Sequence, residues 1–302
     1  VKGAKLYDPR LDSTVGGVGT QRFNDPATWT WNDGNAALVA LRYLIGEHSL
    51  TGTLIWGVGV DQDDVDLDSF IAAANSGDEI RDGVPRYRLG GVYPTSNNHE
   101  AFFAQWEAST GGKLARVGGK RFIWIPHDDL TPVDTLTDDD ILRESGVEMR
   151  IGNEIESLIN TVRGRFIDPS ELYQGALYPE VVESVALADD GKPRVLPVDF
   201  PWVQDVSTAE RLARYAIRRS RFGRTWRLAV GWRGVLYRPF SVLNLNITET
   251  LDAPQIVRVV DKTMTPQGVT VLTLQEEDAS IYDDTAPLGV KPPVSTIPDR
   301  LD

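Results

Sequence analysis

Two runs near the end of the sequence decide the fold: Gln-Ile-Val-Arg-Val-Val at residues 255–260 and Val-Thr-Val-Leu-Thr-Leu at residues 269–274. They are rich in β-branched residues or alternate between apolar and polar residues, as strands with one buried face do. Residues 158–166 and 225–232 have the same character, and turn residues separate the runs. This spacing predicts an antiparallel β-barrel or β-sandwich, with one inserted helix, over residues 147–284.

The inserted helix is predicted to open at Ser207 and to end near Ser220. Ser207 can cap the backbone, and Glu210 can reach back to complete a capping box. Arginines follow at three- and four-residue spacing, which places them along one side of the helix. Arginine pairs well with carboxylates, so we expect this stripe to meet acidic residues of its own or a neighbouring subunit rather than DNA. The candidate subunit-interface charge stripe consists of Arg211, Arg214, Arg218 and Arg221, and the basic run continues through Arg219 and Arg224.

The first part of the sequence predicts a smaller α/β domain over residues 1–130, which makes the whole chain α+β and β-rich. After a loop-rich start, the apolar residues within 38–45 fall on one helical face, and the acidic run 61–68 leads into a second helix. Residues 86–93 predict a strand. A helix of bulky residues follows, and then a hairpin that turns at Gly118-Gly119.

Two segments lack a core pattern and predict linkers. Residues 131–146 are polar and acidic, and we place the domain boundary there. Residues 285–302 contain four prolines, the composition of a semi-rigid linker, and we expect a further domain to follow it. The chain begins at Val1 without a methionine, so we expect it to be an internal piece of a longer protein.

Composition excludes several classes of protein. The 302 residues include 31 Lys and Arg and 44 Asp and Glu, a formal net charge of −13, which argues against a role in coating nucleic acid. The sequence contains no cysteine, which excludes disulfides, zinc knuckles, iron–sulfur clusters and thiol catalysis. No apolar run approaches the roughly 20 residues of a membrane-spanning helix. We expect neither a cofactor nor a metal ion.

Four polar motifs have a simpler structural explanation than a ligand site. The glycine-rich run 16–20 lacks the Lys-Ser/Thr of a phosphate-binding loop, so a flexible loop is favoured. The aspartates between 61 and 68 lack the glycine and the glutamate that a calcium loop needs at its fixed positions, and they suit a helix start. His127-Asp128-Asp129 and His99-Glu100 have no partners at metal-ligand or catalytic spacing, so we assign them no such role.

Several stretches, in a fixed order, carry a family resemblance. They are the opening at residues 1–9 and the aromatic and Leu-rich stretch 25–43, then the strand, helix and hairpin of 85–126. The most recognisable is Ile-Asn-Thr-Val-Arg-Gly-Arg-Phe-Ile-Asp-Pro at residues 159–169, and a helix and strands within 208–278 complete the set. Together they resemble the central hub region of the phage tail tip attachment (protein J-like) or tail hub family, which also occurs in prophages and gene transfer agents.

The resemblance implies a non-enzymatic structural protein of the virion, a homotrimeric tail tip or baseplate hub whose barrel domain is similar to tail-tube subunits. It implies contacts with the distal tail protein, the tape-measure protein and host-contacting parts at the tail tip. DNA would only pass through the lumen, and we expect the excess of acidic residues to line it. The sequence departs from the family at residues 238–241, which read Arg-Pro-Phe-Ser in place of a Pro-Gly-Asp-like turn.

Two other classes of function stay open at this point. A tail-associated cell-wall hydrolase would use paired carboxylates, in which the chain is rich, although three scattered histidines do not supply a metal peptidase. A sugar- or receptor-binding module would present exposed aromatic residues, and Trp29 and Trp31 are candidates. Burial in the core explains both tryptophans more simply.

Overall fold

The computed structural model describes residues 4–49, 51–94, 98–142, 144–153, 157–248, 251–285 and 289. These residues form a mixed α+β, β-rich fold with five α-helices and nineteen strands. None of the described helices is both long enough and apolar enough to span a membrane. Of the predicted proline-rich linker, residues 285–302, the structure describes only Thr285 and Gly289.

Polar side chains start four of the five described helices. The helices are α1 Ala36–Ile45, α2 Leu67–Asp78, α3 His99–Thr110, α4 Ser184–Asp190 and α5 Val206–Arg221. Asn35, Asp66, Asn98 and Asp205 precede α1, α2, α3 and α5, and their side chains accept hydrogen bonds from backbone N–H groups of the first turn. The helices predicted within residues 38–45 and after the acidic run are confirmed as α1 and α2.

The start of α5 differs from the prediction. Asp205 caps the helix in place of Ser207: its carboxylate accepts a hydrogen bond from the Thr208 N–H at 3.1 Å, and the Ser207 hydroxyl donates to the same carboxylate. A carboxylate is the stronger cap because its charge also interacts favourably with the positive end of the helix dipole. The Glu210 carboxylate accepts a hydrogen bond from the Gly289 N–H at 2.9 Å.

The described strands form one large sheet and several small ones. The strands are β1 Ala4–Leu6, β2 Thr30–Asn32, β3 Glu47–His48, β4 Leu54–Trp56, β5 Ile80–Arg81, β6 Val84–Pro85, β7 Lys113–Val117, β8 Lys120–Trp124, β9 Asp134–Thr137, β10 Val147–Arg150, β11 Thr161–Arg163, β12 Arg165–Asp168, β13 Gln174–Leu177, β14 Val181–Val182, β15 Val195–Pro197, β16 Thr225–Val230, β17 Val242–Asn246, β18 Gln255–Met264 and β19 Thr270–Glu276. The hairpin predicted around Gly118-Gly119 is confirmed as β7 and β8.

The large sheet has six strands in the order β10-β16-β19-β18-β17-β9. The two runs that decide the fold are β18 and β19, which pair antiparallel with a bulge between Val259 and Asp261. Alternate residues of β19 are buried, including Leu272 and Leu274, because successive side chains of a strand point to opposite faces. Antiparallel pairing of the predicted strands β16, β18 and β19 is thus confirmed, while closure into a barrel or packing as a sandwich stays a prediction.

A strand lies within residues 131–146, the predicted linker. This strand, β9, pairs in parallel with β17 and forms one edge of the six-stranded sheet. Leu136 at its centre is fully buried in the same cluster as Leu243 and Leu245. The sequence analysis did not predict this four-residue strand, because it has only one apolar position and its neighbours are polar. The division of the chain into domains stays a prediction.

Buried side chains form two clusters. One belongs to the six-stranded sheet and includes Trp226 and Val257. The other joins residues from 6–125 with residues from 162–217 and 281–282. Helix α5 lies in this second cluster through Ala209, Leu212, Ala213 and Ile217, which sit on one face of the helix.

Two predicted strands are wrong in detail. Residues 86–93 form only single bridges, Arg88 with Asn35 and Leu89 with Val203, in place of a strand. The Leu89 N–H donates to the Gly34 carbonyl, and the Gly90 N–H donates to the Trp202 carbonyl. The run 158–166 is also not one strand, since Gly164 separates β11 from β12. A Cβ at Gly164 would lie 1.8 Å from the Val198 carbonyl oxygen, so only glycine permits this approach.

Candidate functional site

The arginines of α5 have acceptors on this chain itself. Arg211 is only 1% exposed, and it donates to the Arg86 carbonyl at 3.1 Å and lies 3.4 Å from the Asp82 carboxylate. Arg214 lies 3.4 Å from Glu210, one helical turn away. These two guanidinium groups therefore belong to the interior of the chain.

The two later arginines of the stripe join α5 to other elements. Arg218 pairs with Glu183, just before α4, at 2.8 Å. Arg221 pairs with Asp190 at the end of α4, and this ion pair holds the pKa of the Asp190 carboxyl at about 2. The sequence predicted carboxylate partners for the stripe, and the structure places such partners in the same chain. A role at a subunit interface stays a prediction.

Arg219 and Arg224, which continue the basic run, form ion pairs with residues at the end of the large sheet's strand β19. Arg219 pairs with Glu277, which also accepts a hydrogen bond from Arg258 of β18 at 2.6 Å. Arg224 pairs with Glu276 of β19 at 2.6 Å. The Glu277 carboxylate is buried between two guanidinium groups, so this junction between helix and sheet depends on charge pairing out of water.

A further buried cation, Arg86, was not found from the sequence. It is fully buried, and it donates to Glu79 at 2.9 Å, to Asp128 at 2.8 Å and to the Tyr215 hydroxyl at 3.1 Å. The prediction of a strand at this segment gave no reason to expect a buried charge. Asp128, which the sequence analysis considered as a metal ligand and rejected, serves as the counter-ion of Arg86 and Arg81.

The Asp128→Asn variant should lose less stability in acid than the parent protein. Burial raises the pKa of Asp128, but the hydrogen bonds and charges of Arg86 and Arg81 outweigh burial and hold it at about 2, below the usual value of about 3.9. A carboxyl whose pKa is depressed by folding contributes stability above about pH 4, and the contribution disappears as the pH falls through about 2. Urea denaturation at several pH values between 4 and 2 measures this loss.

The matched control for this prediction is Asp252→Asn. Asp252 is exposed and has no ion pair among the described residues. Its variant should follow the parent protein through the same pH range. An equal slope of stability against pH in the Asp128→Asn variant and the parent protein would show that the pairing with Arg86 does not control acid stability.

An exposed apolar segment beside the large sheet is the 3-10 helix Trp232–Leu236, which we call the Trp232 turn. Trp232 is 75% exposed, and Leu236 is also exposed. Arg233 between them pairs with Asp134, the first residue of β9, at 2.7 Å and with Asp140, which follows β9 in the chain. The turn therefore presents an apolar surface next to an edge strand, an arrangement typical of protein contact sites. The sequence analysis missed it because it extended β16 through Trp232.

Comparison with known proteins identifies the family. A family model described as putative phage tail protein matches residues 104–260, more than half of the chain. The chain belongs to this phage tail family. This confirms the phage tail resemblance expected from the sequence, and the matched residues run from α3 into β18. No curated protein matches the chain.

Solved structures of particle and tail proteins match parts of this phage tail protein. A chain from the virion of a native gene transfer agent particle has 16% identity and a TM-score of 0.53, over 74% of this chain and 49% of that chain. The 43 kDa tail protein of prophage MuSo2 from Shewanella oneidensis has 14% identity and a TM-score of 0.40, over 62% and 55%. Prophage tail protein gp18 from Listeria monocytogenes EGD-e has 13% identity and a TM-score of 0.32, over 66% of this chain and 58% of that chain. The phage tail protein thus spans about half the length of these chains.

The polar motifs of this tail protein have structural partners. Asp66 caps α2 and pairs with Arg238 at 2.7 Å, as expected for a helix start. The His99 ring lies 3.0 Å from the Tyr43 hydroxyl. The glycine-rich run folds back over the chain, with the Val18 N–H donating to the Arg10 carbonyl at 2.8 Å. Among the described residues, no group of three or more His, Asp or Glu side chains is placed to hold a metal ion.

The two tryptophans considered for ligand binding have different environments. Trp29 is buried, and its indole N–H donates to the Arg22 carbonyl at 2.8 Å. Trp31, in the strand β2, is exposed. Burial in the core therefore explains Trp29 but not Trp31.

Proposed function

We propose that this phage tail protein is a segment of the tail tip or baseplate hub, which forms the distal end of the tail tube and links it to host-recognition parts. The observation that carries the proposal is the family match, because it runs from α3 into β18 and so includes most strands of the six-stranded sheet. The order of the short sequence stretches that resemble the tail hub family supports the same assignment. The proposed role is structural and non-enzymatic.

The surface of the large sheet supports assembly into a closed ring. Strands β9 and β10 are the two edges of the sheet, and an open edge presents backbone N–H and C=O groups to a further strand. The Trp232 turn adds an exposed apolar surface beside the β9 edge. A homotrimer around the tail axis would cover these groups on every subunit, because closed symmetry leaves no unused copy of an interface.

The charge of the chain supports passage of DNA through such a ring. The net charge is −13, and acidic residues along a lumen would repel the phosphate backbone and prevent adhesion during ejection. In this proposal the distal tail protein and the tape-measure protein contact the ring from above. Among the stripe arginines, Arg218 and Arg221 are kept as interface candidates since their side chains are 17% and 24% exposed.

Immunogold electron microscopy tests the place of this protein in the particle. Antibody against residues 1–302 should label the end of the tail that is distal to the head, in particles induced from the source strain. Absence of label from tails, with the protein present in the lysate, would contradict the proposal. Labelling along the whole tail would assign the chain to the tube itself and would equally contradict a tip hub.

Zymography on cell-wall material tests the non-enzymatic part of the proposal. The purified chain should give no zone of lysis, whereas a lysozyme standard in the same gel should give one. A reproducible zone at the mobility of the chain would favour the tail-associated hydrolase over the structural hub.

A further inference from the structure

A cleft of about 830 Å³ opens between α1, α3, the β12–β13 hairpin and the segment before α5. Its volume lies in the range of roughly 300–1,000 Å³ that is typical of small-molecule sites. We call it the aromatic cleft, because aromatic rings and two amides dominate its wall. The side chains that matter here are those of Trp56, Tyr93, Tyr173, Trp202, Gln105 and Gln204.

The floor of the aromatic cleft is built by close packing on two glycines. A Cβ at Gly91 would lie 2.4 Å from the Trp202 ring, and a Cβ at Gly90 would lie 2.2 Å from the Gln204 amide nitrogen. The ring and the amide therefore lie directly on the backbone. Tyr93 packs edge-on against Trp202, with 6.0 Å between ring centroids, so the aromatic floor is fixed before any ligand arrives.

Tyr173 stands at the rim of the aromatic cleft in an unusual conformation. Leu172 and Tyr173 have φ angles of 54° and 62°, in the left-handed region that side chains other than glycine rarely adopt. The Tyr173 N–H donates to the Asp168 carbonyl at 2.9 Å, which helps to hold this turn. The Tyr173 side chain is nevertheless 61% exposed. Backbone strain that displays an exposed aromatic ring beside a cleft is typical of binding sites.

The polar groups available in the aromatic cleft are neutral. The side-chain amides of Gln105 and Gln204 make no hydrogen bond among the described residues, so they are available to a ligand. The charged residues of the wall already have partners: Asp33 pairs with Arg88 at 2.8 Å, and Arg42 contacts Glu47. An amide donates and accepts hydrogen bonds at once, as a sugar hydroxyl does, whereas an anionic ligand would need an uncommitted cation.

We propose that the aromatic cleft binds a neutral oligosaccharide. The rings of Tyr173 and Tyr93 pack against the apolar faces of sugar rings, and the amides of Gln105 and Gln204 bond to hydroxyl groups. This inference goes beyond the hub function and does not depend on it. If the protein does lie at the tail tip, the cleft comes close to the glycans of the cell surface.

Saturation-transfer NMR with four defined tetrasaccharides tests the proposal on the 302-residue chain. The neutral probes are maltotetraose, cellotetraose and chitotetraose, and the anionic probe is tetragalacturonate. At least one neutral probe should receive saturation, and the Tyr173→Ala and Gln105→Ala variants should each weaken its binding by about fivefold, as expected for the loss of one good contact. Trp232→Ala is the matched control, since it removes an exposed aromatic residue outside the cleft and should leave the Kd unchanged.

Three results would overturn the proposal. They are the absence of signal from every neutral probe, an unchanged Kd in both the Tyr173→Ala and Gln105→Ala variants, and stronger binding of tetragalacturonate than of any neutral probe. Circular dichroism of each variant shows that it is folded. Binding is measured on the isolated chain, so a negative result here would not contradict the tail tip hub. A negative immunogold result would likewise not contradict sugar binding.

Discussion

Replacing Glu277 with alanine should lower the free energy of unfolding by about 3–5 kcal/mol, the range observed when one partner of a buried ion pair is removed. The Glu277 side chain is fully buried and accepts hydrogen bonds from Arg258 and Arg219. Without it, the buried Arg258 guanidinium keeps its charge and loses its counter-ion. Urea denaturation followed by circular dichroism measures the change.

Glu148→Ala is the matched control for this variant. Glu148 pairs with Arg227 at 3.4 Å, but its side chain is 73% exposed, so its removal should cost less than about 1 kcal/mol. Both variants remove one glutamate, but Glu277→Ala removes two intrachain ion pairs, with Arg219 and Arg258, whereas Glu148→Ala removes one, with Arg227. Equal effects in the two variants would show that water solvates the Arg258 guanidinium after all, and that the junction between α5 and the large sheet does not depend on charge pairing.

Trp106→Ala should destabilise the protein by about 3–5 kcal/mol, as large aromatic deletions in cores do. Trp106 of α3 is fully buried and belongs to the cluster that joins residues from 6–125 with those from 162–217. Its indole N–H donates to the Ala36 carbonyl at 2.9 Å, and its ring lies so close to Gly112 that a Cβ there would be 2.6 Å away. The variant leaves a cavity and removes the hydrogen bond from α3 to the start of α1.

Trp232→Ala provides the comparison for Trp106→Ala, because it deletes the same side chain at an exposed position. Its effect on the isolated chain should stay within about 0.5 kcal/mol. The unfolding midpoint of each variant in urea measures its loss of stability relative to the parent protein. A loss below about 1 kcal/mol in the Trp106→Ala variant would mean that the surrounding residues collapse into the space, and that α3 is not a fixed part of this core.

Local patterns predicted four of the five described helices, α1, α2, α3 and α5, and the strands β7, β8, β16, β18 and β19, whereas α4 was not predicted. Helix α1 follows from the spacing of apolar residues between Asn35 and Gly46, and the hairpin of β7 and β8 follows from Gly118-Gly119. The cap of α5 was misplaced because both Asp205 and Ser207 can cap, and only the path of the backbone decides which side chain reaches the Thr208 N–H. The strand β9 was missed because four residues with one apolar position carry too little pattern.

The candidate sites depended more on tertiary structure. The arginine spacing predicted carboxylate partners, but the sequence could not say that Glu183, Asp190 and Glu277 would supply them, since these lie far from α5 in the chain or on other elements. The aromatic cleft left no local signal at all. Its rings and amides come from five separate segments, and the strain at Leu172 and Tyr173 is a property of the folded backbone.

The sequence by itself determined the class of fold, the phage tail family and the absence of cysteine chemistry, because periodicity, short motifs and composition are local or additive properties. Only the tertiary structure decided which charges are buried, which strands form the edges of the large sheet and which aromatic residues line a cleft. The physical reason is that burial and pairing are set by contacts between residues distant in the chain. The burial of the charged Arg86 and the exposure of Tyr173 therefore follow from the folded backbone and not from the local sequence.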